Sequence, residues 1–147
     1  WFPCVLAFFI WDKTASSPFK FSFKGDLVMK AVLLVSHGSY SPKTKQEVAL
    51  MVDELKASTG IKIFEYAFME IEKPDIPTGI DICIEKGAKE VLVLLNFLNS
   101  GRHVEKDIPA IVQGSKDKYP QIKISISQPV GQHQKIKDLF IDLIHTT

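Results

Sequence analysis

The sequence predicts an α/β fold: a four-stranded parallel sheet in the order 2-1-3-4 with helices on both faces. Three observations carry this. Strand-like and helix-like stretches alternate four times from Met29 onward, as in a parallel sheet wrapped by helices. Two strand-like runs, AVLLV (31–35) and VLVLL (91–95), are continuously apolar, as central strands covered on both faces are. The other two, IKIFEY (61–66) and IKISI (122–126), alternate more and suit the sheet edges. Right-handed crossovers then favour the flavodoxin-like order 2-1-3-4, with the first and third strands as central neighbours.

The helices follow from their stop signals and stripes. Ser41-Pro42 reads as an N-cap with proline in the first turn, and Val48, Met51, Val52 and Leu55 form an apolar stripe ending near Gly60. A second helix is expected from near Asp75 to Gly87, with Ile76, Ile80, Cys83 and Ile84 facing inward. A third begins around Asp107-Ile108-Pro109, and a fourth carries Ile136, Leu139, Phe140, Leu143 and Ile144 on one face.

Residues 1–28 stand apart: they hold both tryptophans and six of the ten phenylalanines and keep no period. VLAFFIW is too short to span a bilayer and lacks the basic leader of a signal peptide. Lys24-Gly25-Asp26 is encodable by AAAGGAGAT, which contains a bacterial ribosome-binding sequence, shortly before Met29. The expectation is that 1–28 is a non-native or disordered extension translated from upstream DNA, and that 29–147 is a single domain.

Composition bounds the class. With 147 residues, 46% hydrophobic and 24% charged, one globular domain with its own core is expected. A net charge of +1 argues against a nucleic-acid partner, and nothing points to a membrane. Cys4 and Cys83 make neither a metal-ligand pair nor a disulfide framework. Cys83 reads as a small buried hydrophobe, and a reducing, cytoplasmic setting follows.

The chemistry gathers at one edge. His37 lies just past the first strand and His103 past the third. In the order 2-1-3-4 these strands adjoin at the point where winding reverses, the crevice in which open α/β sheets bind ligands. Two neutral imidazoles with open positions suit Fe, Co, Ni or Zn, not a closed four-ligand zinc site. Glu70 follows the second strand on the same edge, placed to orient a histidine, join the metal or take a proton, while Glu72 reads as exposed. Gly38 and Gly101 permit a tight turn or close approach of a ligand. Arg102 is the sole arginine and, with Lys43, Lys45 and Lys106, forms a basic rim suited to a polycarboxylate. His133 reads as helix-start chemistry, and His145 carries no signal. The sequence offers no Gly-rich phosphate loop for a nucleotide.

LLVSHGS, YAFMEIEKPDIPTGID, FLNSGRHVEKDIP and QPVGQ, in this order and spacing, resemble the class II tetrapyrrole chelatases of the CbiX/SirB type, over nearly all of 30–145. By that resemblance His37 and His103 match the metal-site histidines and Glu70 the acidic position after the second strand. Ser39, Gly101, Arg102, Lys43, Lys45 and Lys106 become candidate contacts to the tetrapyrrole. Tyr40 stands where many members carry a basic residue, and Leu95-Asn96 replaces a Pro-containing strand end. The implied reaction inserts cobalt, iron or nickel, as substrate, into sirohydrochlorin with loss of two pyrrole protons, and no organic cofactor is expected for it. By the resemblance, the length of 29–147 matches the family's short form, which pairs as a homodimer, and an N-terminal half of its fused long form reads the same. A non-catalytic tetrapyrrole or metal carrier on the same scaffold is the alternative. VSHGS also loosely matches an Arg-His-Gly phosphohistidine motif, with Ser36 in place of the required arginine.

Overall fold

In the computed structural model, residues 28–146 are described. The expected extension lies outside them except for Val28. Four parallel strands, β1 (Lys30–Ser36), β2 (Ile63–Phe68), β3 (Glu90–Leu95) and β4 (Lys123–Ile126), form one sheet in the order β2-β1-β3-β4. Register places Val35 opposite Ala67 on one side and Leu95 on the other, so β1 and β3 end together. β2 starts two residues later than its alternation suggested and runs on to Phe68.

The helices are α1 (Pro42–Thr59), α2 (Ile76–Glu85), α3 (Ile108–Lys118) and α4 (Ile136–Thr146). Ser41 sits at the N-cap of α1 but makes no side-chain cap bond, and Pro42 follows it. Its own N–H instead donates to Ser39 Oγ at 3.1 Å. Gly60, in a left-handed conformation, ends α1. Asp75 caps α2 by accepting the Thr78 N–H at 3.0 Å. That bond and the Lys73 ammonium, the larger influence, hold its carboxyl down at about 2.

Two apolar layers flank the sheet. On one face Ala31, Leu33, Val35, Val91, Val93 and Leu95 pack against Ile76, Ile80, Cys83, Ile108 and Val112 from α2 and α3. Burying each such side chain contributes about 1.5–3 kcal/mol. Cys83 is fully buried, which pushes its thiol up to about 12 and leaves it an inert packing group. On the other face Val32, Leu34, Phe64 and Phe68 meet Val48 and Val52 of α1.

One expectation is corrected. β3 is not covered on both faces: Val91, Val93 and Leu95 are buried, while Leu92 and Leu94 are only partly so. Leu92 and Leu94 pack at the margin of the α1-side cluster, and among the described residues α4 buries none of its own side chains there. Among the described residues, no helix is long and apolar enough to cross a membrane.

Candidate metal centre at the sheet edge

The strand ends are tied together beyond the ladders, and this fixes the loops that carry the site. The Met69 N–H donates to the Ser36 carbonyl at 2.8 Å and the Glu70 N–H to the His37 carbonyl at 3.0 Å. Between β1 and β3, the Asn96 N–H donates to the Val35 carbonyl at 2.9 Å, and Asn96 Nδ2 donates to the buried Ser36 Oγ at 3.0 Å. Asparagine in place of a proline at this strand end thus supplies one backbone donor and one side-chain tie directly beneath the histidines. β4 joins through Ser127, whose Oγ accepts the Leu95 N–H at 3.0 Å.

Gly38 makes the first loop possible. Its φ is +99°, and a Cβ there would lie 2.0 Å from the Glu70 carbonyl oxygen. Both the conformation and the contact demand glycine. At Gly101 a Cβ would meet nothing within 4 Å, so the chain itself does not require glycine there. In the fourth loop, the Gly131 N–H donates to the Phe97 carbonyl at 3.0 Å. A Cβ on Gly131 would lie 1.8 Å from the Leu98 oxygen, so QPVGQ clamps the segment that leads to His103.

The turn after Glu70 is strained. Ile71 takes φ +70°, a conformation β-branched residues avoid, and the Glu72 N–H donates to the Glu70 carbonyl at 2.7 Å across it, the pattern of a γ-turn. Backbone outliers of this kind gather at functional sites. The turn sends its two flanking carboxylates to different tasks. Glu72, expected to be exposed, is half-buried and its Oε2 accepts the Ser39 N–H at 3.1 Å. Glu70 Oε1 points at His103 Nε2, 3.9 Å away.

His103 opens one turn of π-helix (His103–Asp107) that runs directly into α3, so the helical path starts earlier than Asp107. Pro109 supplies the reason: its ring crowds the carbonyl four residues back, and the turn widens to the bond between the Ile108 N–H and the His103 carbonyl. The wide turn brings Asp107 Oδ2 within 3.0 Å of His103 Nδ1. Arg102 Nε lies 3.6 Å from Oδ1 of the same carboxylate. With Nδ1–H donated to Asp107, the His103 tautomer presents its Nε2 lone pair to the site.

The rings of His37 and His103 meet edge to face with centroids 5.4 Å apart. One donor atom each from His37, Glu70 and His103 falls within 4.8 Å of the others. Two imidazoles and a carboxylate at this spacing are a donor set that could hold a divalent ion. The three residues marked in the sequence are therefore brought together, and the histidines differ. His103 is held by a carboxylate, whereas His37, exposed, makes only a 3.4 Å contact from Nδ1 to the Gly38 oxygen.

The basic residues are less focused. Arg102 is 82% exposed at its side chain. Lys43, 80% exposed, pairs with Glu47 at 3.7 Å, Lys45 Nζ donates to the Lys73 carbonyl at 2.9 Å, and Lys106 is exposed. His133 stands at the start of α4, its Nδ1 accepting the Lys135 N–H at 3.2 Å. Asp107, Asn96 and Glu72 are the site's supporting groups that sequence reasoning passed over. Of these only Asp107 left a signal, four residues after His103.

Comparison with known proteins places this geometry. The CbiX family model matches residues 31–147. The sirohydrochlorin ferrochelatase of Bacillus subtilis is 32% identical over 107 residues, covering 73% of this chain and 41% of that protein. The sirohydrochlorin cobaltochelatase of Methanocaldococcus jannaschii is 28% identical over 138 residues, covering 78% of this chain and 96% of that protein. Among solved structures, the sirohydrochlorin chelatase SirB from Bacillus subtilis subspecies spizizenii in complex with cobalt superposes with a TM-score of 0.73 at 30% identity. That match covers 80% of this chain and 50% of the other. The chain spans less than half the length of its Bacillus subtilis and Priestia megaterium relatives. With the family model running from Ala31 to the last residue, over the same sheet that carries the histidine pair, the chain belongs to the CbiX family.

Proposed function

We propose that this chain inserts a divalent metal ion, with cobalt, iron or nickel as substrate, into sirohydrochlorin, and that it works as a cytoplasmic homodimer without an organic cofactor. The product would serve cobalamin or sirohaem biosynthesis. The observation that carries the reading is the convergence of His37, Glu70 and His103 at the crevice between β1 and β3. The family's named sirohydrochlorin ferrochelatases and cobaltochelatases support it.

Insertion exchanges one M(II) for two pyrrole protons, so the site needs metal donors and proton acceptors together. His103, held by Asp107, presents Nε2 as a fixed ligand, and His37 completes the pair. Glu70, beside His103 Nε2, accepts a released proton, and a neutral imidazole accepts another as its metal bond breaks. Ser39 and Gly101 flank the histidines where the ring would rest. Arg102, Lys43, Lys45 and Lys106 would meet the ring's carboxylates at the rim. Binding at that periphery offsets the distortion that points the ring nitrogens toward the ion.

The test is anaerobic spectrophotometry of sirohydrochlorin with Co(II) or Fe(II), comparing the full chain with His37→Ala, His103→Ala and Glu70→Gln. The expected result is metal-dependent conversion above the spontaneous rate, reduced on the order of 100-fold or more in each histidine variant. Ring binding by the wild type with no acceleration of insertion would replace the catalyst with a carrier.

A further inference from the structure

We infer that Glu72 is a positioning residue for the metal centre: by holding the Ser39 N–H, its carboxylate keeps Ile71 in the left-handed turn that aims Glu70 at the histidine pair. This deepens the reading proposed above and rests on it, because aiming Glu70 matters only where Glu70 meets the ion.

The turn at Ile71 needs something to hold it. Its φ of +70° is unfavourable for a β-branched residue and persists only where the surroundings over-determine it. Burial does not supply the force, because Ile71 is 48% exposed. The 2.7 Å bond from the Glu72 N–H to the Glu70 carbonyl closes the turn, but a γ-turn of this hand is strained even with its bond made. Glu72 Oε2 adds a second hold. It accepts the Ser39 N–H at 3.1 Å, a charge-assisted bond that reaches across to the neighbouring loop.

The two loops grip each other reciprocally. The Glu70 N–H donates to the His37 carbonyl at 3.0 Å, and the Ser39 N–H donates back to Glu72. Between these bonds lie Gly38 and Ile71, both with positive φ. The Glu70 carbonyl occupies the space that a Cβ on Gly38 would take. Ser39 is a fixed anchor, since its Oγ accepts the Ser41 N–H at the head of α1 at 3.1 Å. Just past the turn, Lys45 Nζ from α1 donates to the Lys73 carbonyl at 2.9 Å.

The consequence falls on Glu70. In an extended chain, residues two apart point to the same side, and the two carboxylates would lie together. The reversal at Ile71 parts them: Glu72 goes to Ser39, and Glu70 Oε1 comes within 3.9 Å of His103 Nε2. The donors within 4.8 Å of one another are His37, Glu70 and His103. Glu72, engaged with Ser39, acts through Glu70 and not on the ion. Without its carboxylate, Ile71 returns to negative φ and the Glu70 side chain swings off the site.

The test compares the full chain with Glu72→Ala, Glu72→Gln, Ile71→Gly and the double variant Ile71→Gly/Glu72→Ala. Glu72 lies outside both apolar layers, so these variants are expected to fold, and circular dichroism melts check it. Titration calorimetry gives Co(II) affinity, and anaerobic spectrophotometry gives kcat and KM for sirohydrochlorin. Glu72→Ala is expected to weaken Co(II) binding and lower kcat by about 10-fold or more, with KM for the ring little changed. Glu72→Gln, which retains an acceptor oxygen, stays within about 3-fold of wild type. Glycine takes positive φ as readily as negative, so in the Ile71→Gly background the loss from Glu72→Ala shrinks to about 2-fold. Equal loss in the alanine and glutamine variants would overturn the inference by showing that Glu72 acts through its charge. An undiminished loss in the Ile71→Gly background would overturn it by showing that the carboxylate does not hold the turn. A wild type that binds Co(II) without accelerating insertion would overturn the proposed reaction alone, since the order of Co(II) affinities still decides the part of Glu72. A wild type that binds no Co(II) would overturn both.

Discussion

Replacing Gly38 with alanine tests the most constrained point of the site. The new Cβ would sit 2.0 Å from the Glu70 carbonyl oxygen, so the loops after β1 and β2 must separate by about 1 Å to reach even a tight contact. That movement stretches the 3.0 Å bond from the Glu70 N–H to the His37 carbonyl beyond bonding range, a loss of about 1 kcal/mol. Holding alanine at φ +99° costs about 1–2 kcal/mol more. The stiffer unfolded chain returns about 0.4–1 kcal/mol. A net loss of about 2 kcal/mol remains, which lowers the unfolding midpoint by about 6–10 °C for a domain of this size. The same separation moves His37 from Glu70, so Co(II) affinity measured by titration calorimetry falls about 10-fold or more. Gly101→Ala, with nothing within 4 Å of its Cβ, is the control and shifts stability by less than about 1 kcal/mol. A Gly38→Ala protein that melts within about 2 °C of wild type and binds Co(II) normally would show that Gly38 does not join the two loops.

Two more outcomes follow from the supporting carboxylates. Asp107→Ala frees His103 Nδ1 and is expected to weaken Co(II) binding about 10–100-fold with little change in melting. Asp107→Asn, which retains an acceptor, restores most of it; equal loss in both variants would mean that charge, not orientation, is Asp107's contribution. Asp75 has its carboxyl lowered from 3.8 to about 2, so its charge stabilises the fold above about pH 4, and that gain is lost as pH falls through about 2. Asp75→Asn keeps the cap, so denaturant melts should show wild type ahead by about 0.2–1 kcal/mol at pH 7, the gap closing below pH 4. A gap constant down to pH 2 would contradict this.

Much of the site was legible because topology did the work. Two apolar runs identified β1 and β3, and once these adjoin, residues just past their ends must face one another, as His37 and His103 do. Glu70 followed from the edge it shares. What escaped depended on local geometry. Asp107 meets His103 only because the chain coils in a π-turn ahead of Pro109, whereas Pro109 itself reads as a helix start. Ile71 carries no turn signal, so nothing marked the reversal that buries Glu72 against Ser39. The amphipathic stripe of α4 marked a helix with one apolar face but not that its residues would stay unburied, because periodicity records that a side is apolar and not what lies across from it.

His37, Glu70 and His103 all come from the loops that follow β1, β2 and β3, at one edge of the sheet. Three donors from one sheet edge would leave the rest of an ion's coordination sphere to other ligands, and two of them, His37 and Glu70, are exposed to solvent. In the proposed reaction an incoming ring nitrogen would then be able to bond to the ion before the bonds to these side chains break. If an ion sits there as proposed, its affinity would be limited by so few protein bonds, which suits release into a ring better than storage.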